Sequence, residues 1–378
     1  MTQITPFTIE TSEEELNDLK QRLVMTRWPD KETPTDWSQG IPLSYMIEIH
    51  DYWLNQYDWQ ARLELLNQWP GFKTKIDGLG IHFLHIKSAE PDALPLLMTH
   101  GWPGSIVEFQ KVIGPLTNPT QHGGLANDAF DLVIPTLPGF GYSDKPVSPG
   151  WNIDKIATAW DELMVRLGYD HYVAQGGDWG SIVTAQIGVQ NLGHCIGIHM
   201  NMPIAPPDPN NMDNLTDQET DALKSMQFYQ DNDSGYSKQQ STRPQTLGYC
   251  LADSPIGQAA WILEKFYQWM DCNGHPENIA SRDELLDNVM MYWLPDAGAS
   301  SARIYWESFG STNLDPIEIP VGCTLFPKEI FKTSERWARA RFTNLIHFEV
   351  MEKGGHFAAF EQPHALVEQI QDCFRKLR

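Results

Sequence analysis

Gly176-Gly177-Asp178-Trp179-Gly180 follows the apolar run Tyr172-Val173-Ala174, which sets an acidic side chain among small residues where a buried strand would turn into a helix. On such an elbow the residue at the tip is the nucleophile. A serine there attacks acyl carbon. An aspartate attacks saturated carbon, and the ester it forms can be cleaved by water at the aspartate's own carbonyl. That chemistry suits opening an epoxide or displacing a halide. The same pentapeptide also reads as a strand end with a helix cap, because Asp is a favoured N-cap and glycine fills turns.

Three further segments bear on that choice. His100-Gly101-Trp102-Pro103-Gly104-Ser105 follows the apolar run ending at Met98, so it forms a tight turn at the carboxyl end of an early strand. Open α/β sheets keep their sites there. The amides of Trp102 and Trp179 are the candidate oxyanion-hole donors, and a cis Trp102-Pro103 bond is compatible with the turn. Gly354-Gly355-His356 follows the last apolar strand, making His356 the candidate base. Glu329, directly after the run Val321 to Phe326, is the first choice for the acid that orients it; Asp208, after an earlier strand, competes. The order nucleophile, acid, base matches elbow hydrolases. His100 is read as shaping its loop, and Asp315 and Glu318 as solvated charges.

The elements that must hold these residues alternate along the chain. Ser12 with Glu15 forms a capping box ahead of Leu16, Leu19 and Leu23, predicting an amphipathic helix. An aromatic-rich stretch from Ser44 to Trp69 also has helical spacing, its tryptophans acting as packing anchors. Lys75-Ile76 and Ile81 to Ile86 flank Gly78-Leu79-Gly80 as a hairpin. Buried-strand runs recur at Leu94 to Met98, Phe130 to Ile134, Tyr172 to Ala174, Ile196 to Met200, Val321 to Phe326 and Ile346 to Met351, with helices at 153–167 and 363–377. This predicts a mostly parallel sheet flanked by helices. Between about Pro206 and Phe309 only helical patterns occur, at 223–229, 258–270 and 285–293, which predicts a helical insertion.

Composition excludes several classes. The 378 residues carry 27 Lys and Arg against 49 Asp and Glu, a net charge of −22 with no basic stripe, which argues against nucleic acid or an anionic membrane as partner. Five scattered cysteines without a C-x-x-C pair indicate neither a disulfide framework nor a zinc site. The N-terminus has no basic region leading into an apolar run, and no apolar stretch is long enough to span a bilayer. The expectation is a cytoplasmic protein with no membrane anchor, needing no metal or organic cofactor; homo-oligomerisation stays open.

Taken together, the segments resemble the α/β-hydrolase epoxide hydrolases, in particular the branch of the microsomal and juvenile-hormone enzymes. The resemblance covers nearly the whole chain, including Asp18 to Leu23 and Thr26-Arg27-Trp28-Pro29, which is similar to that branch's N-terminal domain. It implies an α/β-hydrolase fold with an N-terminal region over 1–90, a core in two parts over 91–205 and 313–378, and a helical lid over 206–312. It also implies two lid tyrosines that hold the epoxide oxygen, matched by Tyr236 in Ser234-Gly235-Tyr236 and by Tyr305 in Ser300 to Tyr305. Membrane residence, known for the microsomal members, is not carried over.

On that resemblance, a small hydrophobic epoxide and water are the substrates: Asp178 forms a covalent ester and His356, supported by Glu329, drives its hydrolysis to a vicinal diol. A haloalkane dehalogenase would use the same Asp178, acid and base with indole N–H groups cradling halide, and Trp102 and Trp179 keep it in view. A non-catalytic binding protein on the same fold is the alternative of another class. A serine esterase using Ser105 or Ser181 ranks below these, since neither serine occupies the elbow.

Overall fold

The computed structural model describes residues 3–209, 212–310 and 312–378. Nine strands form one sheet: β1 (Thr5–Pro6), β2 (Gly71–Ile76), β3 (Leu79–Ile86), β4 (Leu94–Thr99), β5 (Phe130–Pro135), β6 (Tyr172–Gly176), β7 (Cys195–Met200), β8 (Val321–Leu325) and β9 (Leu345–Val350), in the order β1-β2-β3-β5-β4-β6-β7-β8-β9. β1, β2 and β3 pair antiparallel, and β3 joins β5 antiparallel. From β5 onward all pairings are parallel. The central parallel strands β5, β6 and β8 are buried along their whole length, as continuous apolar runs require when helices cover both faces, whereas the edge strand β9 is only partly covered.

Register puts the strand ends in line. Thr99 of β4 and Met200 of β7 both pair with Gly176 of β6, so the loops after these three strands leave the sheet side by side. The loops after β8 and β9 are joined further on by a bridge between Lys328 and Gly355, where the Lys328 amide donates to the Gly354 carbonyl at 3.1 Å.

The N-terminal region differs from the single helical stretch predicted over 44–69. Two helices are present, Leu43–Asn55 and Trp59–Leu66, because Asp58 turns its carboxylate onto the amides of Gln60 and Ala61 and starts a new helix. Of the tryptophans there, Trp53 and Trp59 are buried, whereas Trp28 is 36% exposed and lies edge-on to His50.

Among the described residues, six α-helices lie between β7 and β8: Asp217–Phe228, Gly235–Thr242, Pro244–Asp253, Pro255–Trp269, Arg282–Trp293 and Gly298–Ser308. Three of these, Gly235–Thr242, Pro244–Asp253 and Gly298–Ser308, are not among the helical patterns read from the sequence. The N-terminal helices grip this insertion by polar contacts. Tyr52 donates to Asp283 and Tyr57 to Asp287, both at 2.8 Å, while Arg62 pairs with Asp287 at 2.6 Å. No helix among the described residues is long and apolar enough to cross a membrane.

Candidate active site

Asp178 opens the helix Asp178–Gln190 with a left-handed φ of +49°. A non-glycine residue accepts that conformation only where its surroundings impose it. Here the turn is so tight that a Cβ on Gly180 would lie 1.8 Å from the Thr99 carbonyl oxygen, and one on Gly176 would lie 2.2 Å from the carbonyl oxygen of Gly180. Only glycine lets the helix start approach β4 and β6 this closely. Of the two readings of the pentapeptide, the structure has the elbow: the cap position is Gly177 and no side chain caps the helix.

The Asp178 carboxylate sits between two sets of donors. The Trp102 amide donates to Oδ1 at 2.7 Å, from a loop with a cis Trp102-Pro103 bond. The loop approaches so closely that a Cβ on Gly101 would be 2.1 Å from Oδ1. On the other side His356 Nε2 stands 3.2 Å from Oδ2, and His356 Nδ1 stands 2.6 Å from Glu329 Oε1. Burial pulls the imidazole pKa down, but the Glu329 and Asp178 carboxylates outweigh it and hold it well above 6.5. The bridge between Lys328 and Gly355 explains why two loops remote in sequence present Glu329 and His356 to each other. Asp208 lies near Arg336 instead, where its charge acts on the guanidinium.

Tyr236 and Tyr305 come over the carboxylate from the helices Gly235–Thr242 and Gly298–Ser308. Their rings are 5.7 Å apart and nearly perpendicular. Trp102 stacks on Tyr236 at 5.0 Å, and Trp179 meets Tyr305 edge-on at 4.8 Å. Burial first, and neighbouring charge second, pushes both phenols well above their ordinary range, so both keep their protons. The Tyr229 hydroxyl donates to Ser237 at 2.9 Å and lies 3.3 Å from the Tyr236 oxygen. Asp178, both tyrosines, Trp179, Leu223 and Phe309 line a cavity of about 350 Å³ whose remaining wall is mainly apolar.

The other sequence candidates have structural work. His100 accepts from the Leu137 amide through Nε2 and lies 3.0 Å from the Gly101 carbonyl through Nδ1, and burial lowers its pKa to about 4. Ser181 donates to the Met202 carbonyl at 2.7 Å and Ser105 to Asn288 Oδ1 at 2.7 Å.

Sequence reasoning missed the residues that hold the Trp102 loop. Asn288 Nδ2 donates to the Pro103 carbonyl at 2.8 Å and the Tyr292 hydroxyl to the Gly104 carbonyl at 2.7 Å, both from the helix Arg282–Trp293. It also missed Trp269, whose carbonyl accepts from the His356 amide at 3.0 Å and whose ring lies edge-on to the imidazole. No local motif marks any of the three.

Comparison with known proteins supplies the family. Residues 4–109 match the model of the epoxide hydrolase N terminus, and residues 95–259 match that of the alpha/beta hydrolase fold. Epoxide hydrolase 1 of Sus scrofa is 36% identical over 398 residues, covering 97% of this chain and 88% of that protein. The chain belongs to the epoxide hydrolase family. A Stigmatella aurantiaca protein provisionally named an epoxide hydrolase shares 51% identity over 376 residues, covering 99% of this chain and 86% of its own. The solved juvenile hormone epoxide hydrolase of the silkworm Bombyx mori superposes with a TM-score of 0.90 at 31% identity, over 100% of this chain and 96% of that one. The family's α/β-hydrolase fold accounts for the elbow, the strand order and the helical insertion alike.

Proposed function

We propose that this epoxide hydrolase converts an apolar epoxide and water to a vicinal diol through a covalent ester on Asp178. The observation that carries the reading is Asp178 itself, held between the Trp102 amide and His356 and facing two protonated phenols across an apolar cavity. Oδ2 attacks one ring carbon as the carbon–oxygen bond breaks, and a phenol of Tyr236 or Tyr305 gives its proton to the departing oxygen. Because an alkoxide is a poor leaving group, that proton transfer is where the tyrosines act. Oδ1 stays in the oxyanion hole, for which Trp102 and Trp179 supply the amides.

Esterification removes the charge on Asp178 that helps keep His356 protonated, and the imidazolium proton passes to the phenolate left by the first step, restoring the phenol. Neutral His356, oriented by Glu329, then accepts a proton from water as the water attacks the ester carbonyl. The bond from the Asp178 carbonyl carbon to Oδ2 breaks, His356 returns that proton to the diol oxygen, and the proton left on the regenerated Asp178 carboxyl passes to His356, restoring the resting ion pair. Removing one oxyanion donor from such a site typically costs about 100- to 1,000-fold.

Halide displacement fits less well. The Trp179 indole lies within hydrogen-bonding range of the Tyr305 phenol rather than turned to an empty cradle, and halide has no need of two phenols. The deciding experiment is a single turnover of an aryl epoxide by excess enzyme in heavy-oxygen water. Label should enter the Asp178 carboxylate and be missing from the first diol. Label in the first diol with none on Asp178 would mean direct attack by water.

A further inference from the structure

The cavity with the tyrosines covers one side of the Asp178 carboxylate. A separate void of about 20 Å³ lies on another, walled by Asp178 and His356 together with Gly101, Glu108, Asn201 and Phe357. A single water needs roughly 10–15 Å³ and two to four polar partners. Size and walls both meet that requirement.

Glu108 is the unexplained member of this wall. It belongs to the short 3₁₀ turn Ile106–Phe109 that follows the Trp102 loop, and its carboxyl forms no hydrogen bond with any of the described residues. Its Oε2 is tucked against Gly104, where a Cβ would come within 2.3 Å. Burial raises its pKa to about 8, with His356 acting to lower it and Asp178 to raise it. Partly buried and without a protein partner, this carboxyl has acceptor capacity to offer a water. Asn201, beside it, accepts from Gln175 through Oδ1 at 2.9 Å, which leaves its N–H groups to donate.

The ester mechanism has a matching need. Water attacking the Asp178 carbonyl gives one proton to His356 Nε2, and its lone pair points at carbon. Its second proton requires an acceptor, or the water turns away from the line of attack. We propose that Glu108 is this acceptor and that, with Asn201, it holds the hydrolytic water in the small void against Asp178 and His356. The inference rests on the ester reading above. It adds a residue that serves the second chemical step and not the first, because the void lies apart from the tyrosine-lined cavity where the epoxide ring opens.

Rapid-mixing kinetics with an aryl epoxide separate the two steps, alkylation being followed by tryptophan fluorescence and ester by intact-protein mass. Glu108→Met removes both acceptor oxygens at similar length. It should slow ester hydrolysis about 10- to 100-fold while alkylation stays within about threefold, so that ester accumulates in the steady state. Glu108→Gln keeps one acceptor oxygen and should retain most of the hydrolysis rate. Should the Met protein fail to fold, Glu108→Ala carries the same expectation. Ester hydrolysis at the wild-type rate in whichever of these two apolar variants folds, or an equal fall in both steps, overturns the role of Glu108. A wild-type enzyme that never forms an ester would instead overturn the reading of Asp178, and mass spectrometry tells these apart.

Discussion

His356 Nε2 stands 3.2 Å from Oδ2 of Asp178, so the base already touches the oxygen assigned to attack. In the resting enzyme the contact is an ion pair; once Asp178 is esterified, His356 is left next to a neutral group and can act as a base. His356→Gln should therefore form ester within about tenfold of the normal rate and fail to clear it, hydrolysis dropping about 100- to 10,000-fold. Intact-protein mass should rise by that of the epoxide and stay there. A variant that turns over without retaining that mass would remove His356 from the second step.

The same ion pair links stability to pH. The His356 pKa is raised in the folded protein by Glu329 and Asp178 against the pull of burial, so folding binds its proton more tightly. The resulting stabilisation is complete below about 6.5 and is lost as pH rises through the raised value, each tenfold gain in proton affinity being worth about 1.4 kcal/mol. The advantage in Tm of the wild type over His356→Gln should thus shrink between pH 6 and pH 10. A difference that stays constant across this range would contradict the pairing.

On the proposed ester mechanism, the tyrosines divide the work of the first step. Tyr236 and Tyr305 both line the cavity beside Asp178. Tyr236→Phe and Tyr305→Phe should each slow alkylation about 10- to 100-fold with little change in ester hydrolysis. The double variant should lose more than either alone. Stopped-flow fluorescence measures this, and a Tyr305→Phe enzyme that alkylates normally would refute its assignment.

How far the sequence reveals all this depends on how local each signal is. Asp178 and its glycines are legible because a single tight turn dictates adjacent residues, and the runs of β4 to β8 are legible because burial on both faces leaves few polar positions. The break at Asp58 escapes a reading by period, since one cap outweighs a good helical pattern. Glu329 could be ranked over Asp208 but not decided, as its partnership depends on the bridge between Lys328 and Gly355, a contact between loops. Asn288, Tyr292 and Trp269 are silent for the same reason: each acts on a loop far away in the chain. Tyr236 and Tyr305 emerged from family resemblance alone, because two phenols on separate helices share no spacing.

Gly180→Ala tests the elbow's packing. Its Cβ would meet the Thr99 carbonyl oxygen at 1.8 Å, and Thr99 leads straight into the loop bearing the Trp102 amide. Overpacking should cost about 1–3 kcal/mol or more, and alkylation should fall with it as the amide is displaced. Gly193→Ala is the contrast: with φ at +97° but nothing within 4 Å, it should cost about 1 kcal/mol and leave both chemical steps intact. Thermal unfolding beside single-turnover rates distinguishes the two, and a Gly180→Ala protein as active as wild type would mean that the close approach is not needed.

The N-terminal region is joined to the Trp102 loop through one helix. Arg62 reaches Asp287 at 2.6 Å, and the next residue in that helix, Asn288, holds the Pro103 carbonyl beside the oxyanion loop. Asp287 is buried, and burial raises its carboxyl pKa even with Arg62 present. Arg62→Met leaves that carboxyl with only the Tyr57 hydroxyl and should destabilise the fold by about 3 kcal/mol. Arg62→Met with Asp287→Leu should recover part of this loss, since an apolar pair can replace a buried ion pair at little cost. If the link to Asn288 matters, Arg62→Met should also slow alkylation several-fold at temperatures where the protein stays folded. Denaturant unfolding and single-turnover rates on the same three proteins check both. A destabilised Arg62→Met enzyme with unchanged alkylation would confine the N-terminal region to holding the fold together.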